Sequence, residues 1–130
     1  MKVNYGAVQP TENYIPLILK RLEKINPYKI ILYGSYAYGE PNAASDIDLL
    51  VVTNSDDLPR TYREKSDLYL KTASLIRDLQ RQISIDLIVH TKAMFQKFIK
   101  LGSLFSQEIV RKGIVLYETD HERVVGSGDG

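Results

Sequence analysis

Residues 29–52 read KIILYGSYAYGEPNAASDIDLLVV, and this stretch decides the fold. It opens with a β-branched and aromatic run, Lys29 to Tyr33, that ends at Gly34 and predicts a strand. A turn-rich passage from Gly39 to Ala44 follows. A second apolar run, Ile47 to Thr53, predicts another strand. The stretch therefore predicts two strands of a small sheet, joined by a polar connection.

Helical and strand patterns alternate on both sides of this stretch. Apolar residues recur at helical spacing from Ile15 to Ile25, with Pro16 in the first turn, where a missing N–H is tolerated. A long amphipathic helix is predicted from about Thr61 to Gln82. The alternating segment Ile83 to His90 predicts a third strand.

The last third of the chain contains two predicted helices and a final strand. Thr91 and Ser103 are placed to cap the two helices, and Gly102 ends the first of them. Gly113 precedes the strand-like run Ile114 to Tyr117. The whole pattern predicts an α/β (α+β) fold, a small mixed sheet flanked by helices.

Length and composition predict one ordinary globular domain. The chain has 130 residues, which favours a single domain over residues 1–125, with residues 126–130 as a flexible tail or cloning remnant. It contains no cysteine, so disulfides and thiolate chemistry are excluded. No secretory or membrane-spanning run is present, and the cytoplasm is the expected location.

The charge balance bears on the partners of the protein. Seventeen basic and sixteen acidic side chains leave a net charge of +1, which argues against a surface built to hold duplex nucleic acid. We therefore expect no stable complex with duplex nucleic acid and no membrane association.

Two carboxylates open the second predicted strand. Because alternate side chains of a strand share a face, Asp46 and Asp48 point the same way while Ile47 and Leu49 point toward a core. Unpaired charges about 4 Å apart repel by about 4 kcal/mol at the effective dielectric of a protein surface. Carboxylate oxygens are hard ligands suited to magnesium, so the pair predicts a metal site that keeps open positions for phosphates.

A glycine–serine turn ends the first predicted strand. Gly34 lets the backbone approach a ligand closely, and Ser35 offers a hydroxyl and an N–H. If a helix begins there, its first N–H groups favour anions. The turn and the paired acids can therefore place a triphosphate against its metal.

The run Gly34-Ser35, ten residues, then Asp46-Ile47-Asp48 resembles the signature of the DNA polymerase beta-like nucleotidyltransferase superfamily. Its minimal members, including the MntA-like antitoxins of HEPN/MNT toxin–antitoxin systems, are the nearest in pattern. Family members take a third acid from a later strand, and Asp86 matches that place. The resemblance implies a polymerase beta-like fold and a two-metal transfer from ATP.

The resemblance also implies the role of each site residue. Asp46, Asp48 and Asp86 would hold two Mg²⁺ or Mn²⁺ ions, and Asp86 would help to deprotonate the incoming hydroxyl. Gly34 and Ser35 would hold the triphosphate, which leaves as pyrophosphate. Many minimal members carry an arginine where this chain has Tyr38, which either stacks on a base or packs beneath the loop.

The same resemblance implies an acceptor. Minimal members are commonly paired with a small HEPN-domain ribonuclease toxin, so the first hypothesis is transfer of AMP to a hydroxyl of that toxin, most simply a tyrosine. Two alternatives stay open at this point. The protein could neutralise the toxin by binding alone, with a vestigial site, or it could modify a small-molecule alcohol such as an antibiotic.

Overall fold

The computed structural model describes residues 11–119, and a four-stranded mixed sheet forms its centre. The strands are β1 (Lys29–Tyr33), β2 (Ile47–Val52), β3 (Ile85–His90) and β4 (Ile114–Glu118). They lie in the order β3-β2-β1-β4. β1 pairs antiparallel with both β2 and β4, whereas β2 and β3 run parallel. The predicted small mixed sheet is confirmed.

Six α-helices surround the sheet within residues 11–119. They are α1 (Ile15–Leu22), α2 (Ser35–Tyr38), α3 (Tyr62–Ala73), α4 (Arg77–Gln80), α5 (Lys92–Leu101) and α6 (Leu104–Lys112). Single 3₁₀ turns cover Thr11–Tyr14, Glu23–Ile25 and Ser74–Ile76. None of these helices has the length and apolar character needed to cross a bilayer.

The prediction of one long helix from Thr61 to Gln82 is wrong. The segment breaks at Ser74–Ile76, where Ile76 leaves helical geometry with φ −125° and ψ 17°. The guanidinium of Arg21 donates to the Leu75 carbonyl at 3.0 Å, so a carbonyl released by the break is satisfied from α1. Ile76 and Leu79 are both buried in the core.

Both faces of the sheet are covered. On one face, Leu32, Leu49 and Leu87 pack against α1 and the α3–α4 segment. On the other face, Ile31, Tyr33, Leu50 and Val52 pack against the α5–α6 pair through Ile109, Phe95 and Phe98. Asp48 is the one residue of β2 that is not fully buried.

The predicted caps of α5 and α6 are confirmed. The Thr91 hydroxyl accepts a bond from the Met94 N–H at 3.1 Å, and the Ser103 hydroxyl accepts one from the Ser106 N–H at 3.1 Å. Gly102 ends α5 in the left-handed conformation, with φ 64°. These three residues fix the sharp turn that sets α6 beside α5. The predicted tail, residues 126–130, lies outside the described residues.

Candidate active site

Two of the predicted acids lie side by side at the start of two parallel strands. Asp48 is the second residue of β2 and Asp86 the second of β3, and the two residues are direct partners in the parallel register. Partners in register place their side chains on the same face of the sheet. Asp46 comes one residue before β2, and by the alternation of the chain it belongs to the same face.

The charges of the three acids act on one another. The pKa of Asp48 is raised from its usual 3.8 to about 6, first by burial and then by the negative charges of Asp86 and Asp46. Like charges near a carboxylate disfavour its ionised form. The arrangement stores electrostatic repulsion that a bound cation would relieve.

Gly34 lies directly against the Asp48 carboxylate. β1 ends beside the start of β2, where Tyr33 is the register partner of Asp48. Gly34 has φ 76° and ψ −157°, a conformation that residues with a side chain rarely adopt. A Cβ at this position would overlap the Oδ2 atom of Asp48 and lie 3.1 Å from its Cγ. Only glycine therefore fits between the turn and the acid.

The turn after Gly34 is a single turn of helix. The Gly34 carbonyl accepts bonds from the N–H groups of Ala37 at 2.9 Å and Tyr38 at 3.1 Å, so α2 begins at Ser35. The first N–H groups of a helix have no partner within it. Together with the Ser35 hydroxyl they are donors of the kind that phosphate oxygens need.

Tyr38 packs beneath the turn. Its ring packs against the buried cluster between the sheet and the α5–α6 pair, and its hydroxyl interacts with the backbone of Gly34 and with the carboxyl of Glu108 on α6. Burial is the main reason that the pKa of Tyr38 is raised. The Nζ atom of Lys112 lies 5.6 Å from the centre of the ring. Of the two readings of Tyr38, the structure favours packing over base stacking.

Tyr33 is a neighbour of the acids that the sequence reading did not single out. Its pKa is raised well above the usual range, first by burial and then by the charges of Asp86 and Asp48. Its ring meets Phe105 of α6 edge-on, with 5.5 Å between the centroids. The signal was present, because Tyr33 directly precedes Gly34 and strand alternation turns it toward the same face as Asp48.

The carboxylate oxygens of the site suit a divalent cation, although the three acids do not complete its coordination by themselves. Within residues 11–119, no group of three or more His, Asp or Glu side chains is placed to hold a metal ion without some movement. Asp48 and Asp86 are hard oxygen donors on adjacent strands, and the Asp46 side chain is exposed at the strand entrance. These residues fit a magnesium ion that takes its other ligands from water and substrate phosphates.

One large hollow of the described chain lies away from the acids. That hollow, about 730 Å³, lies at the opposite end of the strands, between the segment from Ser55 to Arg60 and helix α3. Its lining mixes acidic and basic side chains, among them Asp67 and Lys71. We place the candidate site at the Asp48 end on its chemistry, not on the size of a cavity.

Comparison with known proteins identifies the family of the chain. Residues 14–116 match the family model described as the nucleotidyltransferase domain. The chain belongs to the nucleotidyltransferase family. The match spans β1, the Gly34 turn and all three acids. The protein is therefore a nucleotidyltransferase enzyme, and the expectation drawn from the Gly-Ser and Asp-x-Asp spacing is confirmed at this level.

A curated relative of this nucleotidyltransferase comes from Methanocaldococcus jannaschii and carries the provisional name protein adenylyltransferase. The two sequences are 35% identical over 89 residues, which is 68% of this chain and 77% of the relative.

Solved structures with a similar fold include two toxin–antitoxin complexes. The first, a complex with AMP-PNP, has a TM-score of 0.51 and 22% identity, covering 89% of this chain and 80% of the other. The second is a mutant of the MntA–HpeT pair, with a TM-score of 0.47, 23% identity and coverage of 90% and 80%. At this identity the first supports the fold alone, and we draw nothing from the second.

The raised pKa of Asp48 makes the stability of the metal-free protein depend on pH. The folded state holds this proton more tightly than the unfolded chain, so the stabilisation is complete below pH 4 and is lost as the pH rises through about 6. After discounting for solvent screening we expect a loss of about 1 kcal/mol. Urea denaturation in a chelator at pH 4.5 and 7.5 measures it.

The Asp48→Asn variant is the control for this pH effect, because other carboxylates also titrate in the range. The variant should lack the component assigned to Asp48, and the difference between the two proteins should grow from pH 4.5 to 7.5. Equal pH dependence in wild type and variant would show that Asp48 ionises normally. Magnesium should stabilise the wild type more at pH 7.5 than at pH 4.5, because protonation competes with the metal.

Proposed function

We propose that this nucleotidyltransferase uses magnesium to transfer AMP from ATP to a hydroxyl of a partner HEPN-type toxin, most simply a tyrosine, and so acts as its antitoxin. The observation that carries the proposal is the packing of Gly34 against the carboxylate of Asp48, which is itself beside Asp86. The turn that would hold phosphate is thereby in direct contact with one of the two neighbouring acids that would hold the metal.

The acids and the Gly34 turn would have separate roles in the site. Asp46, Asp48 and Asp86 would hold two magnesium ions, and Gly34 and Ser35 would bind the β- and γ-phosphates through backbone and hydroxyl donors. Magnesium, when bound, would neutralise charge on the phosphates during in-line displacement. The acceptor oxygen bonds to the α-phosphorus, the α–β P–O bond breaks, and pyrophosphate leaves. Asp86 would help to take the hydroxyl proton.

A protein acceptor is supported by the relative from M. jannaschii, whose provisional name is protein adenylyltransferase and whose identity to this chain is 35%. The fold neighbour crystallised with AMP-PNP is a toxin–antitoxin complex, and by analogy it is consistent with ATP as donor and a toxin as partner.

The proposal is tested by incubating the protein with the candidate toxin, ATP and magnesium. Intact-mass spectrometry should show the toxin gaining AMP, and peptide mapping should place it on a tyrosine. The double variant Asp46→Asn, Asp48→Asn should transfer none, whereas Asp67→Asn, an exposed aspartate on α3, should behave as wild type.

Two other results would support a different function. Full neutralisation of the toxin by the double variant would mean that binding alone suffices. Pyrophosphate release with a small alcohol, in the absence of any protein acceptor, would assign the enzyme to small-molecule modification. An unmodified toxin, together with wild-type protein that binds ATP through Asp46, would reject transfer to that toxin.

A further inference from the structure

Exposed apolar side chains are concentrated on one side of the molecule. Twelve large hydrophobic side chains are exposed within residues 11–119, and seven of them lie on α5, α6 and β4. Ile114 is the register partner of Leu32 and belongs to the α1 side of the sheet, so we call the other six the α5–α6 face. They include Leu104, which is 84% exposed, Val110 at 58% and Val115 at 48%. A concentration of this kind marks an interaction surface rather than the scatter usual for single exposed residues.

The α5–α6 face is grooved. Three neighbouring hollows open on it, and Ile99 lines all of them. Val110 lines two of the three, and Phe95 contributes the floor of two. Hollows that share walls form a continuous furrow that can receive side chains from another molecule, as the centres of protein interfaces do.

Positive charge surrounds the furrow. The segment from Lys92 to Val115 contains five basic side chains and one acidic side chain, Glu108, whereas the whole chain has a net charge of only +1. The remainder of the protein is therefore net negative. Lys97, Lys100 and Arg111 are all exposed. The face suits a partner with an apolar centre and an acidic rim.

The same charges argue against a second copy of this chain as the occupant. In a two-fold dimer the same patch would meet itself, and the basic rim of one copy would face the basic rim of the other. Like-charge juxtaposition across an interface costs several kcal/mol. A different protein, acidic where this one is basic, avoids that cost.

The α5–α6 face reaches the candidate site. Phe105, which is 41% exposed on this face, also touches the ring of Tyr33 at 5.5 Å. Tyr33 is the register partner of Asp48. Phe105 itself lines none of the three hollows, and Lys29, at the opposite end of β1, lines two of them, so a partner seated in the furrow would reach the acids by extending along α6 past Phe105.

We infer that the α5–α6 face is the docking surface for the acceptor protein, which presents an apolar patch bordered by acidic side chains. This inference rests on the proposed function, because it assigns the surface through which the protein substrate of the same site is held. It separates two tasks on the chain: β1, β2 and β3 carry the chemistry, and α5, α6 and β4 select the substrate.

The test compares how fast the wild type and equally well-folded variants label the acceptor protein. Wild type, Val110→Asp and Leu104→Asp are incubated with host-cell extract and an alkyne-tagged ATP, and the labelled protein is then quantified. Leu104 is the first residue of α6, where an acidic residue is favourable, so that variant should keep the helix. Leu70→Asp is the matched control, since Leu70 is 49% exposed on α3, across the sheet.

Both face variants should label the acceptor at least ~10-fold more slowly at limiting extract, the loss typical of an interface anchor. Their affinity for AMP-PNP should stay within about twofold of wild type, and Leu70→Asp should match wild type in both measurements. In the wild type, the labelling rate should fall as the salt concentration is raised, because the basic side chains around the furrow speed association with an acidic partner.

The outcomes separate the docking surface from the activity. Equal labelling by wild type and both face variants would overturn the docking surface and leave the proposed function standing. Absence of any labelled protein with wild type would overturn the proposed function and the inference with it. A label removed by nuclease would identify a nucleic acid acceptor, and a wild-type dimer dissolved by Val110→Asp would identify a self-interface; either would overturn the inference.

Discussion

Replacement of Asp48 by asparagine should nearly abolish nucleotidyl transfer while leaving the fold intact. Asp48 lies between Gly34 and Asp86, so the change removes the charge at the centre of the site. A bound metal contributes several kcal/mol to transition-state stabilisation, and each 1.36 kcal/mol is a factor of ten. We expect the rate constant for transfer to fall by ~100- to 1000-fold, measured as pyrophosphate release under saturating ATP and magnesium.

The stability of the same variant should move in the opposite direction. Asparagine has nearly the same shape as aspartate but cannot repel Asp86 and Asp46, so the metal-free variant should unfold at a higher urea concentration than wild type at pH 7.5. A gain in stability together with a loss of activity is characteristic of a functional acid. A variant that stays active would show that Asp48 does not hold the metal.

Replacement of Gly34 by alanine should have the second-largest effect. The new Cβ would overlap the Asp48 carboxylate, and the backbone conformation, φ 76° with ψ −157°, is nearly confined to glycine. Strain of about 1–3 kcal/mol should appear as a lower urea midpoint. Displacement of Asp48 by even 1 Å can cost ~100-fold in rate, so transfer should fall by that factor.

Gly102→Ala is the matched control for backbone strain without a clash. Gly102 also has a positive φ, 64°, but a Cβ there would come no nearer than 4.0 Å to another atom. We expect a loss of about 1 kcal/mol in stability and no change in the transfer rate. If Gly34→Ala and Gly102→Ala lower stability equally and both keep full activity, the contact between Gly34 and Asp48 has no catalytic role.

Much of the sheet and its acids could be predicted because local signals agreed with the fold. β1 begins and ends where the run from Lys29 to Tyr33 does, and the acids follow the period of two that governs a strand. The caps at Thr91 and Ser103 could also be predicted, because a hydroxyl side chain just before an amphipathic run commonly caps the helix that begins there. Each of these features depends on residues close together in the chain.

The remaining features depend on contacts between distant residues. The break at Ile76 depends on the hydrogen bond that Arg21 donates to the Leu75 carbonyl, and these two residues are 54 positions apart in the chain. The placement of Tyr38 depends on Glu108 and Lys112, which approach only when α6 docks on the sheet. The spacing of apolar residues predicts which side of a helix or strand is buried, but it cannot identify the distant side chain that will contact that side.

The parallel pairing of β2 with β3 has a consequence for the order in which the molecule matures. β1 and β2 are antiparallel neighbours that follow one another in the chain and can associate early, bringing Gly34 to Asp48 through the connection of residues 34–46. Asp86 joins them only after the chain has passed through α3 and α4 and returned to lie alongside β2. On the proposed mechanism, a chain in which only β1 and β2 have paired lacks the third acid, so activity requires the completed sheet.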